Sequence, residues 1–288
     1  MILVADSGST KCDWVISTLT GKQILATTTE GINPTILSEN AIKNIISNNK
    51  DLKSYQSLIT QVHFYGAGCG TKDADKKMKV LLKDFFENIV HIGIKEDVIA
   101  AIHATTAKPG IICILGTGSN CCFYDGINVH QKIPSLGYIL SDEGSGNYIG
   151  KELLSAYFQK KMPKNISTWF EKEFNTDLNE VFKCVYHQQN PNKYLASFAE
   201  FAFRNKKEAF IAALLEKTID GFIETYLIHY HEELQQHPVH FVGSIGFYAQ
   251  DLITKKLHNK GYRANTFVKK PIDNLLKYIT AQNCEAKN

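Results

Sequence analysis

The sequence predicts an α/β protein made of two duplicated halves, and three observations carry that expectation. Apolar, β-rich runs alternate with small polar turns over the first thirty residues. Strand and helix patterns then alternate, as they do where parallel strands are joined by helices. About 110 residues into the chain the opening theme recurs, and self-similarity at a fixed spacing marks a repeated core.

Taken in order, residues 2–5 read as a strand that ends in the polar turn Asp6-Ser7-Gly8-Ser9-Thr10-Lys11. A second strand is expected over 12–18, Gly21-Lys22 offers a tight turn, and a third strand covers 23–29. A helix follows over 38–49, with Ser38 as its cap and Ala41, Ile42, Ile45 and Ile46 along one face. Next come a strand at 62–65, the loop Gly66-Ala67-Gly68, a helix over 73–88, a strand over 89–94 and a short helix from Glu96-Asp97. Lys108-Pro109-Gly110 breaks the chain. The second half opens with a strand at 111–115, the turn Gly116-Thr117-Gly118-Ser119-Asn120, a strand at 121–124, the turn Asp125-Gly126 and a strand at 129–133. The remainder reads as helix over 142–161 and 166–235, strand at 240–242, helix over 245–259, strand near 264–268 and a last helix from Pro271. The expected division is therefore 1–107, 108–270 and a terminal helix, 271–288, that packs back on the first part.

Of the 288 residues, 44% are hydrophobic and 21% charged, which excludes a disordered or fibrous chain. The net charge of +3 gives no electrostatic reason to expect nucleic acid or a membrane as partner. Arginine, the preferred fork for bidentate phosphate recognition, occurs only at Arg204 and Arg263. The seven cysteines are scattered, contain no CxxC pair and sit in apolar stretches, so they read as reduced core residues of a reducing compartment. The first residues lack a charged segment ahead of a long apolar run, so no signal peptide or membrane span is expected and the cytoplasm is the default.

Three turns carry the chemistry. The turn at Asp6–Lys11 lies between strands, which excludes a P-loop or dinucleotide fingerprint, both of which need a helix after the glycines. It is either an ordinary polar hairpin or an anion nest in which backbone N–H groups and hydroxyls hold phosphate, with Asp6 suited to a hydrated Mg²⁺. Gly116–Asn120 admits the same two readings. His240-Phe241-Val242-Gly243-Ser244-Ile245-Gly246 is a strand running into a helix: either Ser244 simply caps that helix, or the glycines make room for a flat nucleoside.

In this order and spacing the three turns resemble the actin / sugar kinase / heat-shock-seventy ATPase superfamily. More narrowly, Asp6-Ser-Gly-Ser-Thr-Lys, Ile114-Leu-Gly-Thr-Gly-Ser-Asn120 and Gly137-Tyr-Ile-Leu-Ser-Asp-Glu-Gly-Ser-Gly146 resemble the BadF/BadG-type ATPase family in its N-acetylglucosamine kinase branch. The resemblance implies two ribonuclease H-like (actin-like ATPase) domains around a cleft, and a kinase that moves a phosphoryl group from ATP, with Mg²⁺ near Asp6, to an amino sugar, N-acetylglucosamine first. It assigns Ser9, Thr10, Lys11, Gly116, Thr117 and Gly118 to phosphate, and Gly243 and Ser244 to the nucleoside. It makes Asp97 the general base, a residue that by itself reads first as a helix N-terminal acid. Asn33, Gly68, Ser119, Asn120, Gly137 and Asp142 fall at sugar-binding positions, Asp142 doubling as a helix N-cap. A homodimer is a further implication of the resemblance. The chain departs from the family pattern at Ala100 and Ser141, where glycine is common, and at Asp273-Asn274, where small residues are usual. Other branches are ATP-driven activators of 2-hydroxyacyl-CoA dehydratases or benzoyl-CoA reductases, and hold an iron–sulfur cluster between subunits. The scattered cysteines speak against that alternative; a sugar or nucleotide sensor without turnover is another.

Overall fold

The computed structural model describes residues 1–8, 10–188 and 190–285, the side chains of 283–285 excepted. Two compact units divide it: Met1–Thr105 with Lys270–Asn288, and Thr106–Lys269.

In the first unit β1 (Ile2–Ser7), β2 (Lys11–Ser17) and β3 (Gln23–Glu30) form an antiparallel meander. Then follow α1 (Glu39–Ser47), α2 (Lys50–Ser54), β4 (Gln61–Gly66), α3 (Lys72–Phe85), β5 (His91–Glu96) and α4 (Asp97–Thr105). The sheet order is β3-β2-β1-β4-β5, with β1, β4 and β5 parallel. Short polar caps start the helices: the Ser38 hydroxyl accepts the Ala41 N–H of α1, and that of Thr71 accepts the Ala74 N–H of α3. As the central strand, β1 is apolar without interruption from Ile2 to Ala5 because both its faces are covered. Leu3 and Ala5 belong to the cluster of Trp14, Phe64, Ile42 and Ile46 of α1, and Met78 and Leu82 of α3.

The second unit repeats the plan. β6 (Gly110–Leu115), β7 (Ser119–Tyr124) and β8 (Val129–His130) are antiparallel. A helical stretch follows: α5 (Gly137–Leu140), α6 (Gly146–Phe158), α7 (Lys164–Glu173), α8 (Leu178–Phe182), one π-helical turn at Lys183–His187, α9 (Pro191–Ser197), α10 (Ala199–Arg204), α11 (Ala209–Thr225), a 3₁₀ turn at Leu227–Tyr230 and α12 (His231–Gln236). β9 (Val239–Val242), α13 (Ser244–Tyr248), α14 (Gln250–Asn259) and β10 (Ala264–Val268) complete it. The order β8-β7-β6-β9-β10 matches β3-β2-β1-β4-β5 strand for strand, so the duplication expected from the two meanders is present in the topology. The core of this unit holds Phe170, Phe198, Phe201 and Phe222, with Leu115 of β6 and Phe241 of β9.

The last helix, α15 (Ile272–Glu285), belongs to the first unit. Its Ile272, Leu275, Leu276 and Ile279 bury against Ile2 and Val4 of β1, Tyr65 of β4 and Ala100 of α4. Two departures from the family pattern find their reason here. The Ala100 methyl group is fully buried in this cluster, and Asn274 Nδ2 donates to the Ala104 carbonyl at 2.9 Å, satisfying an acceptor that the end of α4 leaves open.

Four local expectations need correction. The strand expected at 129–133 stops at His130, because the Lys132 N–H donates to the Tyr230 hydroxyl at 2.9 Å instead of to a neighbouring strand. The helix expected from 142 begins at Gly146, after left-handed backbone at Asp142 (φ 74°) and Gly144 (φ 82°); Ser145, not Asp142, caps it. The helix expected over 245–259 is two helices that meet at Ala249. Ser244 is the first residue of α13 and makes no cap, that position being held by Gly243. Cys12, Cys69, Cys113, Cys121 and Cys122 are buried and Cys184 is half-buried, while the Cys284 side chain lies outside the described residues. Among the described residues no helix is long and apolar enough to cross a membrane.

Candidate active site

In parallel α/β sheets, functional groups gather at the carboxyl ends of the strands. In the first unit that edge is level: Ser7 of β1 pairs with Gly66 of β4, and Gly66 with Glu96 of β5. Asp97 follows at once as the first residue of α4. Ser7 gathers the neighbouring loops. Its buried hydroxyl accepts the Ile32 N–H at 2.7 Å and donates to the Ile32 carbonyl at 3.1 Å, while its carbonyl accepts the Ala67 N–H at 3.0 Å. Asn33 and Gly68 are thereby brought together. Asn33 Oδ1 accepts from the Thr35 N–H and hydroxyl, and a Cβ at Gly68 (φ 77°) would run into the Asn33 amide. Gly8 closes the first turn by donating to the Lys11 carbonyl at 3.0 Å. Lys11 reaches Asp13 at 2.8 Å, and Thr10 lies beside it; Ser9 is outside the described residues.

Acidic charge is concentrated at this edge. Asp6 pairs across the sheet with Asp13, and its carboxyl is pushed up to about 7 by burial first, then by Asp13 and Asp97, with Lys11 opposing. Asp97 is likewise raised, by burial and by Glu96, while the Val98 N–H holds it back. Asp13 was not singled out in the sequence, since only the β1–β2 register places it opposite Asp6. Among the described residues no trio of His, Cys, Asp or Glu is arranged to ligate an ion directly. Mg²⁺ does not need one: it keeps several waters and uses one or two carboxylates together with phosphate oxygens, and the Asp6 carboxylate, with Asp13 across the sheet from it, fits that donor set.

The raised Asp6 value has a stability consequence. Both folded and unfolded states are protonated below about pH 4, so Asp6 then costs nothing. From about pH 4 up to about 7 the unfolded chain gives up this proton while the folded state keeps it, so stability falls across that window and is level above it. Asp6→Asn is expected to raise the thermal unfolding midpoint at pH 8, with the gain vanishing by about pH 4. Thermal denaturation of both proteins at the two pH values checks this.

In the second unit the turn after β6 is clamped from two sides. Gly116 N–H donates to the Gly118 carbonyl at 3.0 Å, and the Gly116 and Thr117 carbonyls accept the Gly146 and Asn147 N–H groups, so the first donors of α6 are already taken. Asp142 completes the clamp with its buried carboxylate. One oxygen accepts the Ser119 N–H at 3.0 Å, the other the Asn147 side-chain amide at 2.7 Å, and Gly118 lies where a Cβ would press on it. Ser119 is buried with it. Asn120 Oδ1 is used within the fold, accepting from the Cys121 N–H and Gln131 Nε2. Gly137 (φ 74°) starts α5 with open space around it, and Ser141 ties the end of α5 to α11 through a 2.5 Å bond to the Tyr226 hydroxyl.

A cavity of about 590 Å³ opens beside this turn, wholly within the second unit. Gly116, Thr117 and Gly146 line one part, and Ser244 and Ile245 of α13 another. Gly243 (φ 108°) lets the chain pass against the Leu115 carbonyl on its way into α13. The remaining wall carries Phe203, Glu200 and Arg204 of α10, Tyr248 of α13, and Lys269. These were missed in the sequence. They come from three separated segments with no common motif; only the scarcity of arginine marked Arg204.

The chain is similar to a candidate N-acetylglucosamine kinase from Porphyromonas gingivalis, at 30% identity over 98% of this chain and 100% of that one, with a TM-score of 0.91. It shares its fold with a candidate N-acetylglucosamine kinase from Chromobacterium violaceum at 14% identity, over 96% and 98% of the two chains, TM-score 0.72. A candidate sugar kinase from Cytophaga hutchinsonii has the same fold at 14% identity, over 99% of each chain, TM-score 0.53. No protein-family model matches the sequence, and no curated protein does.

Proposed function

Because the chain belongs to the N-acetylglucosamine kinase-like branch of the BadF/BadG-type ATPase family, we propose that it is an ATP-dependent kinase of an amino sugar, N-acetylglucosamine first. The observation that supports this most is the cavity, which is of a size that admits a nucleotide and brings Gly116 and Thr117 of the glycine turn and Ser244 into one lining.

Phosphoryl transfer asks little covalent chemistry of a protein; it asks for positioning and charge compensation. Gly116, Thr117 and Gly118 offer a backbone turn for the β- and γ-phosphates, and the resemblance adds Thr10 and Lys11 as phosphate contacts. Asp6 is the residue that would hold Mg²⁺, which when bound would supply neutralisation of the phosphate charge. By the resemblance, Asn33 and the Gly68 backbone orient the sugar beside Asp97, and Gly137, with open space around it, is a further sugar contact. Ser119, Asn120 and Asp142 are instead engaged within the fold and hold the turn in place. Asp97 accepts the proton of the attacking hydroxyl as its oxygen bonds to the γ-phosphorus and the bond to the ADP oxygen breaks. The products are ADP, the sugar phosphate and one proton, which Asp97 releases to water. A carboxyl raised by burial suits this role, since a base works best when its pKa approaches the working pH.

The test is ADP release, followed by a coupled assay across a panel of hexosamines and their N-acetyl derivatives. Release is expected to depend on sugar and to be fastest with an N-acetylated amino sugar. ADP release that no sugar stimulates would refute the reading.

A further inference from the structure

Tyr248 and Lys269 form a unit on the cavity wall that the resemblance does not assign. Lys269 Nζ donates to the Tyr248 hydroxyl at 2.5 Å, lying 4.7 Å from the centre of its ring, so the tyrosine is held at its tip. Phe203 of α10 lies beside it, the two ring centres being 5.8 Å apart at 39°. Both rings line the cavity that Gly116 and Thr117 enter elsewhere in its lining, and they are the aromatic residues there.

An aromatic corner at one part of such a cavity, with a glycine turn at another, divides the ligand chemically. The turn brings the Gly116 and Thr117 backbone and the Thr117 side chain to the cavity, polar groups that suit phosphate. The corner offers flat apolar surface, which suits the face of a nucleobase. We infer that Tyr248, together with Phe203, is the stacking surface for the nucleobase of the phosphoryl donor, and that Lys269 is the residue that positions Tyr248 for it. This inference rests on the nucleotide reading of the cavity and deepens it. Tyr248 is 45% exposed, so its side chain is not part of the core and its loss leaves the fold intact. The polar groups nearby do not replace the stack: Arg204 is engaged by Glu173 and Glu200.

Titration calorimetry of the full chain with Mg·ATP and with Mg·tripolyphosphate tests it. Tyr248→Ala is expected to weaken ATP binding by about five- to a hundred-fold, the range that loss of a base–aromatic stack produces, and to leave tripolyphosphate binding unchanged. Tyr248→Phe keeps the ring but loses the Lys269 bond, and is expected to weaken ATP binding as Lys269→Met does and less than Tyr248→Ala. Lys269→Met is expected to weaken ATP but not tripolyphosphate, with Lys269→Arg restoring ATP binding. ATP binding unchanged in Tyr248→Ala overturns the inference and leaves the nucleotide reading standing. Equal loss of ATP and tripolyphosphate in Lys269→Met makes that lysine a phosphate contact and overturns its positioning role. A wild-type protein that binds no ATP overturns the nucleotide reading itself.

Discussion

Asp97→Asn is expected to slow sugar phosphorylation by about a hundred- to ten-thousand-fold, the usual contribution of a positioned general base, while ATP binding stays near wild type. The substitution preserves shape and removes only the proton acceptor. The side chain starts α4 at the level carboxyl edge of β1, β4 and β5, so the asparagine keeps the helix start and the fold. The pH dependence carries a second signature. Burial and Glu96 raise the Asp97 carboxyl from its ordinary value, so the acid limb of the wild-type rate profile is expected to be displaced upward in the same direction. Glu96→Gln removes one of those causes and is expected to move the limb to lower pH without abolishing turnover. Steady-state rates from pH 4 to pH 9 are the measurement. Unchanged turnover in Asp97→Asn would show that another group takes the proton.

Gly243→Ala is expected to destabilise the second unit and to abolish nucleotide binding together. The glycine has φ 108°, and a Cβ there would strike the Leu115 carbonyl and press within 3.0 Å of the Gly116 nitrogen. The backbone conformation alone costs about 1–3 kcal/mol in any residue with a side chain, and the collision adds to it. Relief requires Leu115 and Gly116 to shift, which moves the turn that lines the cavity. Gly116→Ala is the contrast: nothing lies within 4 Å of its would-be Cβ, so it is expected to unfold at the wild-type temperature. Thermal denaturation of the two variants beside calorimetry with ATP separates the outcomes.

How much of this was legible in the sequence depends on how local each cause is. The meanders were readable because alternation and small polar turns act over a few residues, and the repeat made the matching strand orders expected. The helix caps at Ser38 and the buried run of β1 follow the same logic. Tertiary partners decided the rest. β8 is short because Tyr230, a hundred residues away in the chain, takes the Lys132 N–H. Asp142 reads as a cap until the fold sets Ser119 and Asn147 against its carboxylate, and the left-handed backbone that permits this leaves capping to Ser145. Ser141, Ala100 and Asn274 looked like departures from a pattern, yet each has a partner: Tyr226, the α15 cluster and the end of α4. Of the candidate site, the glycine turns were visible as motifs, and Asp97 only through the resemblance. The aromatic and cationic wall was not, because Phe203, Tyr248 and Lys269 meet only in three dimensions.

The central claim is that the chain moves a phosphoryl group from ATP to an amino sugar. Phosphorus NMR of the protein incubated with Mg²⁺, ATP and N-acetylglucosamine tests it most directly. The expected result is a new phosphomonoester resonance, coupled to a sugar proton and growing in step with ADP. Inorganic phosphate as the sole product beside ADP, or ATP left intact whichever amino sugar is supplied, would contradict it.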